Sequence, residues 1–253
     1  MSQRVLITAG AGGIGLAIAK AFVARGARVH IADVNADAVR DISRQFPAIS
    51  GSVGDVSKSS DLDALFADLN QRLGGLDVLV NNAGIAGATA PVAEYPVDTW
   101  NAVVGINLTG TFMVTQRAIP LLRQSSAASI IVMSSLAGRF GYPNRIAYST
   151  TKWGLVGFTK TLSMELGPLG ITANSIHPGA VEGPRIQSVF EARAKASGRS
   201  VEEETQLALA NQSVKKFIDP ADIAELAVFL AGPHARTISG QMFPIDGDSK
   251  SSV

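Results

Sequence analysis

Short apolar runs alternate with longer amphipathic stretches along most of this chain. Residues 4–9 (RVLITA), 28–32 (RVHIA), 48–53, 77–80, 130–132 and 171–176 read as strands, and residues 242–245 as the last one. Helical spacing fills the gaps between them. The first helix carries Ile14, Ile18 and Phe22 on one face, a second covers 35–46, and a third, over 62–73, carries Leu62, Leu65, Phe66 and Leu69. Residues 97–124 read as two helices, the second holding Asn107 among apolar neighbours, and 148–166 as an apolar helix with more than one hydrophobic face. Asp219 followed by Pro220 starts a helix over 220–231 with Ile223, Leu226, Ala227 and Leu230 inward. This alternation predicts an α/β fold on a parallel sheet. Residues 182–217 differ, being polar and helix-prone, and suit a flap over a site; a solvated helical face is the plainer reading.

Composition narrows the picture. The 253 residues are 46% hydrophobic with no low-complexity stretch or linker, so residues 1–253 are read as a single domain. A net charge of +1 points to neither nucleic acid nor an anionic membrane. Cysteine is absent, which excludes disulfides and thiolate metal sites, and His30, His177 and His234 lack metal-ligand spacing, so no metal is expected. No apolar leader and no run long enough to span a bilayer is visible, and the expected location is the cytoplasm.

Three stretches carry candidate chemistry. Gly10, Gly12 and Gly15 satisfy G-x-G-x-x-G between a strand and a helix, where backbone can approach a pyrophosphate on the helix N-terminus. Asp33, about twenty residues on, ends the next strand, where a carboxylate accepts from an adenosine ribose; its bland alternative is a surface aspartate capping the following helix. At residues 81–84 two asparagines meet an Ala-Gly turn at the carboxyl end of a strand, the edge where open α/β sheets hold ligands. In the stretch 130–158, a strand ends at Ser134 and Ser135, and a Gly- and Pro-punctuated loop leads to Tyr148 and Lys152. Four residues apart on a helix, they share a face. A free tyrosine, with a pKa of about 10, is no base near neutrality, and a nearby fixed cation favours its ionised form. Asn107 is costly to bury unpaired and calls for a partner or a job.

Together these residues resemble the short-chain dehydrogenase/reductase family over almost the whole chain. The family's Thr-Gly-x-x-x-Gly-x-Gly loop is similar to Thr8, Ala9, Gly10, Ala11, Gly12, Gly13, Ile14, Gly15, with Ala9 at the first glycine. Its adenine-site Asp-Val is similar to Asp55-Val56, and its Asn-Asn-Ala-Gly element to Asn81, Asn82, Ala83 and Gly84. Asn107, Ser135, Tyr148 and Lys152 match its catalytic residues. Pro178-Gly179 matches its Pro-Gly element, with Val181 at the nicotinamide amide and Gly183 where a threonine is usual.

The resemblance implies a Rossmann-type doubly wound parallel sheet of seven strands with helices on both faces, commonly in a tetramer. It also implies NAD or NADP as cofactor and hydride transfer between a secondary alcohol and a ketone. Tyr148 would move the proton, Ser135 would hold the substrate oxygen, Lys152 would stabilise the phenolate and bind the nicotinamide ribose, and Asn107 would hold a water leading to solvent. Asp33 repels a 2′-phosphate, so NAD is the expected cofactor.

Arg139, Tyr142 and Arg145, with Glu182 and Arg185 at the start of the flap, point to a small polar substrate such as a sugar or sugar acid. A β-ketoacyl thioester reductase and a non-catalytic dinucleotide sensor are the competing readings; an intact Ser135, Tyr148, Lys152 set speaks against the sensor.

Overall fold

The computed structural model describes residues 2–251, the side chains of Arg185 and Ala196 excepted. Seven parallel strands form one sheet: β1 (Arg4–Thr8), β2 (Arg28–Asp33), β3 (Ile49–Val53), β4 (Val78–Asn81), β5 (Ser129–Met133), β6 (Thr172–Pro178) and β7 (Met242–Ile245). Their order is β3-β2-β1-β4-β5-β6-β7, so the direction of winding reverses between β1 and β4. At that switch point the loops leaving the two strands part to opposite faces and open a crevice beyond the carboxyl ends.

Helices cover both faces, and the alternation of strand side chains sorts the core in two. Val5, Ile7, Val78, Val80, Ile131 and Met133 pack with α1 (Gly13–Val23), α2 (Ala36–Gln45) and α9 (Pro220–Leu230), through Ile18, Phe22, Val39, Ile42, Ile223 and Leu230. Leu6, Leu79, Ile130 and Val132 face the other way. They meet α3 (Ser59–Leu73), α5 (Thr111–Leu122) and α6 (Ile146–Leu166) through Leu62, Leu65, Leu69, Val114, Leu122, Leu155 and Leu162. Burial on both faces is why the inner strands read as continuous apolar runs. At the amino end of the sheet Arg4 and Asp77 tie β1 to the approach to β4 with paired hydrogen bonds of 2.8–2.9 Å. Burial pushes the Asp77 carboxyl up, but its bonds to Arg4 and Ser125 prevail and hold it at about 2.

The structure differs from the sequence reading in several places. α4 (Val97–Val104) and α5 are joined by a π-helical segment, Gly105–Gly110, and Asn107 lies in that segment rather than in the second helix. The extra residue per turn turns Asn107 inward, where it is fully buried. β6 runs on to Pro178, so His177 is inside the strand and not in its exit. The segment read as a helix-prone flap is helical as expected, in two separate helices, α7 (Pro184–Ser197) and α8 (Val201–Ala210). α7 stops at left-handed Gly198, and Ser200 with Glu203 forms a reciprocal cap that starts α8. Asn35, not Asp33, caps α2, its side chain accepting from the Ala38 N–H.

Candidate active site

A cavity of about 340 Å³ opens at the switch point. Its floor comes from the loop after β1, with Ala9, Gly12, Gly13 and Ile14, and from Asn82 and Gly84 after β4. The first turn of α1 has no side-chain cap and no acidic residue, and a Cβ built at Gly12 or Gly13 meets nothing within 4 Å. First-turn N–H groups beside open space form a cradle that fits a pyrophosphate. Gly10 and Gly15 do not line the cavity; they let the loop lie close to its supports, and a Cβ at Gly15 would sit 2.1 Å from the Ala9 carbonyl oxygen. Ala9, at the position of the family's first glycine, has a left-handed backbone at φ 50°, a conformation that favours glycine. Thr8 Oγ1 accepts from the N–H groups of Asn82 and Ala83, both at 2.9 Å, and the Asn82 amide donates to the Thr8 and Ala9 carbonyls. The two loops of the cradle are thus one hydrogen-bonded unit.

Asp33 stands at the end of β2, accepting from the Ala11 N–H at 3.1 Å and from the Asn35 N–H. Asp55 follows β3 on the same edge. Burial pushes its carboxyl up, but bonds from the Ser57 N–H and hydroxyl outweigh it and hold the group below the usual range. Val56 is buried, and a Cβ on Gly110 of the π segment would sit 3.1 Å from its carbonyl oxygen. Neither Asp33 nor the Asp55-Val56 pair lines the cavity described above.

Ser135, Tyr148 and Lys152 all line it. Lys152 is 4% exposed; its ammonium donates to the Met133 carbonyl at 2.8 Å and lies 5.6 Å from the centre of the Tyr148 ring. Ser135 caps a single 3₁₀ turn, Leu136–Gly138, and its Oγ accepts from the Ala137 N–H at 3.2 Å. The Asn107 amide accepts from the Ile85 N–H at 2.8 Å and donates to the Ile85 carbonyl and Thr151 Oγ1, both at 3.0 Å. Its side chain therefore joins the loop after β4 to α6, and its main-chain carbonyl accepts from the Thr111 hydroxyl at 2.9 Å. Pro178, Gly179, Val181 and Gly183 form the rim above. Gly183 has φ 135° and ψ −179°, a backbone that the threonine usual in the resembling family would adopt only under strain.

The far wall is α7 with the loop before α6. Tyr142, Arg145, Glu182, Ile186, Val189, Phe190 and Arg193 reach the cavity. Arg145 is 7% exposed and bonds the Gly87 carbonyl at a long 3.4 Å. Arg193 donates to the Tyr142 hydroxyl, and the guanidinium groups of Arg145 and Arg193 lie 5.9 and 5.6 Å from the Tyr142 ring centre. Among the described residues no carboxylate pairs with either. Arg139 is different: it does not line the cavity and pairs with nearly buried Asp246 at 2.6 Å, tying the loop after β5 to the end of β7. The Arg185 side chain lies outside the described residues. Arg193 had no sequence signal beyond membership of a charged helical stretch.

Among the described residues no group of His, Asp and Glu is placed to hold a metal, and no helix is long and apolar enough to cross a membrane.

A family model described as "Enoyl-(Acyl carrier protein) reductase" matches residues 9–247. The D-beta-hydroxybutyrate dehydrogenase of Cupriavidus necator is 37% identical over 250 residues, covering 97% of this chain and 96% of its own. A 2-dehydro-3-deoxy-L-rhamnonate dehydrogenase (NAD(+)) of Sphingomonas sp. is 37% identical over 184 residues, 73% of this chain and 74% of the relative. Among solved structures, a variant of actinorhodin polyketide ketoreductase with NADPH superposes with a TM-score of 0.93 at 33% identity, covering 97% of this chain and 96% of the other. With a matching model from the glycine loop to the turn after the last strand, and relatives aligned end to end, the chain belongs to the short-chain dehydrogenase/reductase family of oxidoreductases.

Proposed function

We propose that the protein interconverts a secondary alcohol and a ketone with NAD, on a small polar substrate that carries a carboxylate, such as a hydroxy acid or sugar acid. The observation that carries the reaction class is that Ser135, Tyr148 and Lys152 line the same cavity as the glycine loop. Gly12, Gly13 and Ile14, with Gly10 and Gly15 holding the loop close behind them, would cradle the pyrophosphate; Asp33 would take the adenosine ribose, and Asp55 and Val56 would flank the adenine. Asn82, Ala83, Gly84, Tyr148, Lys152, Pro178, Gly179 and Val181 would hold the remainder. The nicotinamide so held would supply the hydride acceptor or donor.

Tyr148 takes the hydroxyl proton of the alcohol, or returns it to a ketone oxygen, helped by the neighbouring Lys152 charge. The Ser135 oxygen accepts from Ala137, which leaves its hydroxyl hydrogen to be donated to the substrate oxygen. Asn107 braces the Ile85 loop against α6 and is assigned to the water relay.

A carboxylate on the substrate is favoured by Arg145. A guanidinium this buried is costly without an anion, and among the described residues its side chain has one distant carbonyl as hydrogen-bond partner, beside the Tyr142 ring. Arg193 offers a second fork beside the same ring, and Glu182 lines the cavity nearby. The names of two relatives, a hydroxybutyrate and a rhamnonate dehydrogenase, fit this class. The β-ketoacyl reductase reading is kept alive by the polyketide ketoreductase neighbour and is separated by the cofactor, since that neighbour holds NADPH.

We also read the protein as cytoplasmic, where NAD is recycled, and as a homotetramer. Phe112 on α5 and Trp153 and Met164 on α6 are 49%, 49% and 80% exposed, more apolar surface on two helices than a monomer usually leaves. Light scattering returning the monomer mass at micromolar concentration rules the assembly out, and fractionation with membranes rules out the location.

Tyr148→Phe is expected to keep NAD affinity while kcat falls by about 10²–10⁴-fold, and Lys152→Ala to harm both. Steady-state kinetics with fluorescence titration of NAD checks this, and a Tyr148→Phe enzyme that keeps most of its kcat removes Tyr148 from the role of base.

kcat/KM is expected to favour NAD over NADP, with the preference reduced in Asp33→Ala. Equal use of both cofactors by the wild type refutes the role given to Asp33.

For a hydroxy acid compared with its carboxamide, Arg145→Ala and Arg193→Ala are each expected to raise KM for the acid by about 10- to 100-fold, the scale of an ionic hydrogen bond. Arg139→Ala is expected to leave the preference between the pair unchanged, its charge being taken by Asp246. If neither cavity arginine alters the preference, or an apolar ketone is much the best substrate, the carboxylate reading fails while the reaction class stands.

A further inference from the structure

His177 is fully buried in β6, and both ring nitrogens are engaged. Nε2 lies 2.8 Å from Ser175 Oγ, and Nδ1 lies 3.1 Å from the main-chain carbonyl oxygen of Ser135. A carbonyl only accepts, so Nδ1 carries the hydrogen and Nε2 must then accept from the Ser175 hydroxyl. Ser175 has one alternative acceptor, the Gln241 carbonyl, at a longer 3.5 Å. This assignment requires a neutral ring, and burial, the largest influence, pushes His177 down to about 4, while its bond to Ser135 works the other way.

The Ser135 carbonyl is saturated by this arrangement. One lone pair takes the Gly138 N–H at 2.9 Å, which closes the 3₁₀ turn, and the other takes His177. Ser135 sits at φ −170° and ψ 165°, at the step from strand to turn, and its Oγ accepts from Ala137 inside the same turn. Rotation of the peptide after Ser135 would break its carbonyl's bonds to His177 and Gly138 and so open the 3₁₀ turn within which the Ala137 N–H bonds the Ser135 hydroxyl. Three neighbouring contacts hold other points of the region. Ser134 Oγ donates to the Lys152 carbonyl, Lys152 donates to Met133, and Arg139 pairs with Asp246. None of these three bonds fixes the Ser135 peptide itself.

We propose that His177 is a positioning residue that locks the Ser135 peptide through its Nδ1–H and so aims the Ser135 hydroxyl at the substrate oxygen. The turnover part rests on the role given to Ser135 under Proposed function, while the locking part stands on the hydrogen bonds alone.

Asparagine places an amide N–H close to the position of Nδ1, and glutamine places one close to Nε2. The test therefore compares His177→Asn, His177→Gln and His177→Leu by amide hydrogen exchange of the peptide spanning 136–138, with β1 amides as the global reference. Kinetics are measured in parallel on the best-used member of a hydroxy-acid panel. The expected result is faster exchange at 136–138 in the Gln and Leu variants, with β1 unchanged and near wild-type exchange in the Asn variant. kcat is expected to fall about 10- to 100-fold in Gln and Leu, the scale of a misplacement near 1 Å, with NAD affinity kept and activity substantially rescued in Asn. Asparagine no better than glutamine, or 136–138 exchange unchanged in His177→Leu, overturns the proposal, as does exchange that rises without any loss of kcat. If the Leu variant fails to fold, the Asn and Gln pair decides alone. If the wild type turns over no member of the panel, the hydroxy-acid reading fails, and the exchange comparison still decides whether His177 locks Ser135.

Discussion

A buried ammonium is the constraint around which the site is arranged. Lys152 is almost wholly enclosed, and enclosing a cation costs several kcal/mol unless nearby groups compensate it. The Met133 carbonyl, at the last residue of β5, supplies one partner. The same bond fixes α6 relative to the sheet. That in turn sets the Tyr148 ring, one turn earlier on the helix, at the mouth of the cavity. Gly84 is part of the same knot, since a Cβ there would lie 3.4 Å from the Lys152 ammonium and 3.2 Å from the Asn107 amide oxygen. The charge to which the proposed chemistry gives a role thus also stands where β4, β5, α6 and the π segment meet.

Most of the fold was legible because its signals are local. Short apolar runs mark the strands and 3.6-residue spacing most of the helices, and G-x-G-x-x-G sits in the strand-turn-helix context that gives it meaning. The π segment was not legible, because inserting one residue into a helical turn shifts the face of Asn107 without altering the apolar pattern on either side. The substrate wall was illegible for another reason. Tyr142 and Arg193 are 51 positions apart, and Arg139 and Asp246 are 107 apart, so no spacing rule connects them. Arg139 and Arg145 looked alike in the sequence. The fold separates them by giving one a buried carboxylate and the other a cavity.

The two departures from the family's pattern are resolved by backbone geometry rather than by side-chain chemistry. Ala9 carries steric strain of about 1 kcal/mol in its left-handed turn, yet its carbonyl still receives the Asn82 amide, so the link between the two cradle loops survives the added methyl. At Gly183 the loss of a hydroxyl comes with a backbone that a threonine would resist, and Gly183 is the residue from which α7 departs. The glycine therefore sets the direction of the helix that carries Ile186, Val189, Phe190 and Arg193 to the cavity.

That division explains how one fold serves many substrates. The cradle, Ser135, Tyr148 and Lys152 are held by strand ends and by bonds between neighbouring loops, so their geometry is shared with the sheet and changes only with it. α7 is held differently. Phe190 packs on Phe217 with ring centres 5.8 Å apart, and the helix meets the loop before α6 through Arg193 and Tyr142, contacts made by side chains on elements outside the sheet. Substitutions on α7 can reshape the wall without moving Ser135, Tyr148 and Lys152, so under the proposed function the reaction class belongs to the fold's fixed edge and substrate choice to the few side chains of the wall. In this chain Arg193 of α7 joins Arg145 and Tyr142 at one end of that wall, and Ile186, Val189 and Phe190 make an apolar surface at the other. The wall so formed is charged at one point and apolar beside it.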